Sequence, residues 1–239
     1  MARTASITSC FKKLWVRYLS RPFTPLCASK VRWLGPTRNI PSLIRFAFTA
    51  CHGLLAPAQV KSEITRVAER VAKLKPTAAM EIGTAHGGTL LILAHLAARD
   101  ATIISLDLPG GRFGGGYPRW KIPLYKSFAK GRQSITLLRE DSHKEDTMRK
   151  AKEALGKRKL DFLLIDGDHT YEGVKRDFNL YKGLVKKGGL IAFHDIVRHP
   201  PETGCEVHKF WKEVKKKHEH EEIIADRNQG WAGIGVITV

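Results

Sequence analysis

Hydrophobic positions in the first third of the chain recur at helical spacing. Ile7, Phe11, Leu14, Trp15, Tyr18 and Leu19 fall at i, i+4, i+7, i+8, i+11 and i+12, with Lys12, Lys13, Arg17 and Arg21 on the other face. Residues 6–21 therefore read as a basic amphipathic helix with Trp at its polar boundary. Pro22, Pro25, Gly35 and Pro36 punctuate residues 22–39, which read as a linker or irregular connection. The apolar stretch Ile40–Leu55 contains Arg45 and His52 and is too short to span a bilayer. Val60, Ile64, Val67 and Val71 mark one face of a helix over about 59–74.

From residue 78 the pattern changes to short apolar runs separated by helical intervals. Strands are predicted at 78–82, 102–107, 134–139, 160–165 and 189–193, with helices at about 88–99, 119–130, 144–155 and 171–184. Such alternation implies right-handed crossovers and a parallel sheet. The tail predicts a helix near 205–217, then an antiparallel pair at one sheet edge from HEEIIAD and WAGIGVITV. The fold class is thus α/β, mostly parallel, with helices on both faces.

Composition narrows the partners. The 239 residues are 43% hydrophobic, ample for a core, and the net charge is +18. Residues 1–62 carry ten Lys or Arg and no acid, so more than half of that excess sits in the leading quarter. A solvated arm, an anionic membrane surface contacted through residues 6–21, packing on the domain or a second subunit, and a targeting segment all stay open. Cys10, Cys27, Cys51 and Cys205 show no CxxC pairing, which suits a reducing compartment and argues against a disulfide framework or structural zinc. A cytoplasmic protein, peripheral to the membrane at most, is expected.

The chemistry gathers at strand ends. Each of the five strands finishes in or beside an acid, namely Glu81, Asp107, Asp141, Asp166 and Asp195. One such acid reads as a helix cap. Five in succession along the same edge of a parallel sheet read better as a ligand-binding edge. Glycines in Glu81-Ile82-Gly83-Thr84-Ala85-His86-Gly87-Gly88-Thr89 let the backbone pass close to a ligand at a helix N-terminus, although the GxGxxG fingerprint is absent. Asp107, 24 residues after Gly83, is placed to accept bonds from ribose hydroxyls. In LDFLLIDGDH, a buried strand ends in two carboxylates and an imidazole, which are costly to bury without a use. Pro109–Pro118, PGGRFGGGYP, reads as a flap over the substrate or a disordered connection.

Over residues 60–239 the sequence resembles the class I S-adenosylmethionine-dependent methyltransferases, through ExGxxxGG, Asp107 and Asp141-Ser142. Within that superfamily, IDGDHTYEGVKRD and GGLIAFHD resemble the metal-dependent O-methyltransferases of sugar and antibiotic hydroxyls, the cephalosporin-hydroxylase-like and rhamnosyl O-methyltransferase-like proteins. The resemblance implies a Rossmann-like domain over 58–239 behind a basic helical extension over 1–57. It implies that Glu81, Gly83, Thr84, Gly88 and Thr89 hold the methionine moiety of S-adenosylmethionine, Asp107 the ribose, and Asp141 with Ser142 the adenine side. It also implies a divalent metal, Mg or Mn, on Asp166, His194 and Asp195, with His169 as general base. The family pair at strand five is commonly two acids. His194 therefore either changes the metal or is a buried, hydrogen-bonded imidazole that does not ligate.

The expected activity is transfer of a methyl group to a hydroxyl of a small molecule, a sugar or glycosylated metabolite. Asp166 and His169, at i and i+3 on a tight turn, can face one substrate oxygen. A homo-oligomer is the expected assembly. Nucleic-acid methylation is the second reading, and the missing NPPY-like motif after strand four argues against it. A third reading, a non-enzymatic membrane or nucleic-acid binder with a vestigial pocket, leaves the strand-end acids unexplained.

Overall fold

The computed structural model describes residues 21–34, 39–113 and 115–239. The predicted helix over 6–21 lies outside the described residues apart from Arg21. In the region read as a linker, Thr24–Trp33 forms a helix, α1. Its only proline is Pro25 in the first turn, where a missing N–H costs nothing, so the composition misled. Helix α2 (Ile40–Gly53) starts similarly, with Pro41 in the first turn and the Asn39 side chain accepting from Ser42 N at 3.0 Å. It kinks at Ala50–His52.

Cys27 of α1 and Cys51 of α2 are disulfide-bonded, with Cα atoms 5.8 Å apart. This corrects the expectation of unpaired thiols. The bond comes from the packing of two helices, which the spacing of 24 residues does not reveal. Cys205 is a buried free thiol.

The remaining elements are α3 (Lys61–Leu74), β1 (Ala78–Ile82), α4 (Gly88–Leu96), β2 (Thr102–Leu106), α5 (Ile122–Lys126), β3 (Ser134–Leu138), α6 (Glu145–Leu155), β4 (Leu160–Ile165), α7 (Tyr171–Tyr181), β5 (Val185–His194), α8 (Val207–Val214), β6 (His220–Ile223) and β7 (Ile234–Thr238). The strands form one sheet in the order β3-β2-β1-β4-β5-β7-β6. β1 to β5 run parallel, while β7 is antiparallel to β5 and β6 to β7, as the tail predicted. Strand order reverses between β1 and β4, the switch point where open α/β sheets bind ligands.

The period of two along each strand supplies both faces of the sheet. Ala79, Phe162 and Leu164 face one hydrophobic cluster, built with α1 to α5, and Met80, Ile82, Leu163 and Ile165 face the other, built with α6, α7 and α8. Leu43, Ile44, Leu54 and Leu55 belong to the first cluster, so residues before 58 share the core of the sheet. Among the described residues, no helix is long and apolar enough to cross a membrane.

One buried acid ties the two ends of the chain together. Glu63 on α3 accepts from Ala225 N (2.9 Å), Gln229 Nε2 (2.8 Å) and Gly233 N (2.9 Å), holding the segment between β6 and β7. Removing it leaves two backbone N–H groups with no acceptor and the Gln229 amide with only its bond to Trp231 O at 2.8 Å. Glu63→Ala should lower the unfolding free energy by about 3 kcal/mol, measured by chemical denaturation. A loss within experimental error would show that water replaces these bonds.

Candidate active site

The ends of β1 and β4 approach each other at Gly83. Its φ is +99°, and a Cβ there would lie 2.0 Å from the Asp166 carbonyl oxygen, so only glycine fits. Asp166 N donates to Ile82 O and Gly83 N to Leu106 O, both at 2.8 Å, which pins the turn across three strands. The opening above it is a cleft of about 330 Å³, lined among others by Gly83, Asp107, Asp141, Ser142, His143 and Phe113. That size falls in the range of small-molecule sites.

Asp107 sits at the mouth of this cleft. Its Oδ2 accepts from Ala85 N at 2.7 Å and its Oδ1 from Gly116 N at 2.9 Å. Burial raises its pKa from the ordinary value, against the pull of those backbone bonds. The segment Pro109–Pro118 carries no helix or strand among its described residues, and it lies over the site. Phe113 lines the cleft and stacks on His169, with ring centroids 4.7 Å apart.

The residues expected to hold a methionine moiety divide. Gly83 lines the cleft, whereas Glu81, Thr84, Gly88 and Thr89 do not. The parallel register sets Glu81 opposite Ser105, whose hydroxyl donates to Glu81 Oε1 at 2.8 Å, and Thr84 bonds the same hydroxyl. Glu81 is thus fully buried near the end of β1 and tied to Ser105 on β2. Gly88 is a packing requirement, since a Cβ there would lie 2.2 Å from Leu55 O. Thr89 Oγ1 donates to Gln59 Oε1 at 3.4 Å.

Beside the cleft, β4 and β5 bring a second group together. His194 Nδ1 lies 3.0 Å from Asp166 Oδ1 and 3.3 Å from Asp195 Oδ1. His169 faces both acids, with Nδ1 3.1 Å from Asp195 Oδ2 and Nε2 3.5 Å from Asp166 Oδ1. His199 Nε2 approaches Asp195 Oδ1 at 3.2 Å, and Ala232 N donates to the same oxygen at 3.0 Å. Asp195 adopts a φ of +63°, a left-handed conformation that aspartate tolerates better than most residues. Gln59 Nε2 donates to Asp166 Oδ2 at 3.3 Å, a link from the N-terminal part of the chain that no motif announced.

Charge pairing dominates here. Burial disfavours ionised Asp166 and Asp195, but the imidazoles around them outweigh it and hold both carboxyls below the usual range. Burial likewise opposes the charged form of His169, yet its bonds to Asp166 and Cys205 and the two carboxylate charges raise it to about 10. His194 is pushed up by the same two acids despite its burial.

Asp166, His194 and Asp195 place one donor atom each within 4.8 Å of one another, as do His169, Asp195 and Cys205. His194 Nε2 is buried without a hydrogen-bond partner among the described residues. A set of two carboxylates and an imidazole fits a divalent ion, Mn²⁺ better than the strictly oxygen-seeking Mg²⁺. Cys205 was invisible in the sequence because a lone cysteine carries no spacing signal.

Residues 80–196 match the family described as a methyltransferase domain. Among solved structures, the chain is similar to an O-methyltransferase from Bacillus cereus in complex with S-adenosylhomocysteine, at 15% identity and a TM-score of 0.57, covering 83% of this chain and 91% of that one. It is also similar to the O-methyltransferase TomG from Streptomyces achromogenes, involved in tomaymycin synthesis and complexed with S-adenosylmethionine. There the identity is 12% and the TM-score 0.54, over 90% of this chain and 96% of that one. At such identities the likeness is one of fold. An uncharacterised protein of Acanthamoeba polyphaga mimivirus is 43% identical over 58 residues, 23% of this chain and 26% of the viral protein, so the match spans about a quarter of that relative. The fold is that of the class I methyltransferases, and the family match over residues 80–196 is to a methyltransferase domain.

Burial gives Glu81 a measurable signature. Desolvation, reinforced by the charges of Asp107 and Asp166 and opposed by the Ser105 bond, raises it from 4.5 to about 8. Its folded value exceeds its unfolded value, so its contribution to stability is complete below about pH 4.5 and is lost as pH rises to about 8. Glu81→Gln, which stays neutral, should be more stable than the parent by a few kcal/mol near pH 7. The gap should close below pH 4.5. Denaturation curves across this range check it, and a parent profile that is flat between these values would refute the burial of a neutral Glu81.

Proposed function

We propose that this protein is an S-adenosylmethionine-dependent O-methyltransferase acting on a hydroxyl of a small molecule, of the sugar or glycosylated-metabolite class. The observation that carries this reading is the convergence of Asp166, His169, His194 and Asp195 beside a cleft lined by Gly83, Asp107, Asp141 and Ser142. The cleft takes the cofactor, with Asp107 toward the ribose and the Asp141–Ser142 turn toward the adenine.

Methyl transfer from the sulfonium forms an O–CH3 bond as the S–CH3 bond breaks, leaving S-adenosylhomocysteine, and the hydroxyl must lose its proton. His169 is the group that receives it. Its Nδ1 is engaged by Asp195 at 3.1 Å, which fixes the ring, and its Nε2 is the less tightly held nitrogen, 3.5 Å from Asp166. Proton acceptance requires the neutral imidazole, so the two carboxylates that raise His169 must be charge-compensated in the working enzyme. Asp166, His194 and Asp195 would hold the divalent ion, which when bound supplies positive charge that lowers the pKa of a neighbouring hydroxyl. The Phe113 ring covers His169, so an acceptor reaches the base only when this segment gives way.

A panel of hydroxylated acceptors with labelled S-adenosylmethionine tests the activity. His169→Ala should lower turnover about 10²–10⁴-fold while leaving cofactor affinity within about twofold. An equal fall in both would make His169 a structural residue. Chelator treatment should abolish turnover, with Mn²⁺ restoring it better than Mg²⁺. Full activity in excess chelator would remove the metal from the mechanism.

A further inference from the structure

Asp177, on α7 in the stretch YEGVKRD, is fully buried, and neither carboxylate oxygen has a hydrogen-bond partner among the described residues. Buried carboxylates require compensation. The charge within reach is His143, whose Nε2 lies 3.4 Å from Asp177 Oδ1. His143 follows Asp141–Ser142 directly and lines the cleft, where its side chain keeps about a fifth of its surface exposed. The turn that carries it is clamped onto α7 from two sides. Arg176 donates to His143 O at 2.8 Å, and Tyr181 Oη donates to Ser142 O at 2.9 Å. His143 N donates to Asp141 Oδ1 at 2.9 Å.

We propose that Asp177 holds His143 as an imidazolium whose remaining N–H, at Nδ1, donates to a ring nitrogen of the cofactor's adenine. This rests on the methyltransferase reading and adds a residue for purine recognition. An imidazolium has two N–H groups. With Nε2 turned to Asp177, the other meets whatever enters the cleft, and an adenine ring offers acceptor nitrogens in its plane. Three acids face the imidazole. They are Asp177 from α7, Asp168 from the turn after β4 and Asp141 from its own turn, and together they raise His143 above its ordinary value against its burial, with the Asp177 carboxylate the largest influence. Arg176 is the cation close by, and it engages the backbone. Asp177 is a positioning residue, which explains an acid buried where no ligand reaches.

Calorimetric titration with S-adenosylhomocysteine across pH 6–9 tests this with no acceptor or turnover involved. The full-length protein should bind more weakly as pH rises through the elevated His143 value. His143→Ala should bind about tenfold more weakly at low pH and lose the pH dependence. Asp177→Asn should move the pH midpoint downward, a change that loss of packing alone does not produce. Among the 1-deaza, 3-deaza and 7-deaza analogues of S-adenosylhomocysteine, one should bind the parent poorly, and His143→Ala should no longer distinguish it. Unchanged affinity and pH profile in His143→Ala, or equal losses on all three analogues, would overturn the proposal. Failure of the parent protein to bind S-adenosylhomocysteine at any pH would instead remove the methyltransferase reading on which it rests.

Discussion

The close approach of β1 and β4 at Gly83 is the constraint on which the rest of the site depends. A single Cβ would drive the β1 turn into the Asp166 carbonyl, 2.0 Å away. Without that approach the two strands would part at the point where the sheet order reverses. The cleft would then lose its floor, and Asp166 would no longer face His194 and His169. Backbone geometry here sets the placement of side-chain chemistry two strands away.

Around that turn the structure balances charge within the protein. Asp166 and Asp195 are held ionised, and His169 and His194 are held up, because each buried charge has its opposite at 3.0–3.5 Å. Such an arrangement is stable as a unit and sensitive to the removal of any member. Glu81 shows the opposite solution. Lacking a cation, it keeps its proton and becomes a neutral hydrogen-bonding group in the core. His143 and Asp177 repeat the ion-pair solution on the far side of the cleft. Environment decides which acids carry charge, and so which can act on a ligand.

Much of the fold was legible in the sequence. The five parallel strands, the antiparallel tail and the edge that gathers Asp107, Asp141, Asp166 and Asp195 follow from apolar runs and the direction that parallel strands share. Several features were not legible, each for a physical reason. Pro22, Pro25, Gly35 and Pro36 suggested a linker or irregular connection, yet Pro25 sits in the first turn of α1, where a proline starts a helix as readily as it breaks one elsewhere. Glu81 and Gly88 match a glycine-rich cofactor loop, while the bond from Ser105 to Glu81 depends on strand register and the close approach of Gly88 to Leu55 depends on the segment packed behind it. Gln59 and Cys205 reach the site from elements distant in sequence, and only the tertiary fold brings them there, while His143 and Asp177 lie beside or within the motifs but meet only when α7 packs against the turn after β3.

The central claim is that the strand-end cleft is a cofactor site, with Asp107 at its mouth. Titration of the full-length protein with S-adenosylmethionine tests it most directly. The account predicts saturable binding of one equivalent, weakened about tenfold or more by Asp107→Ala. No binding, or an affinity that Asp107→Ala leaves unchanged, would contradict it.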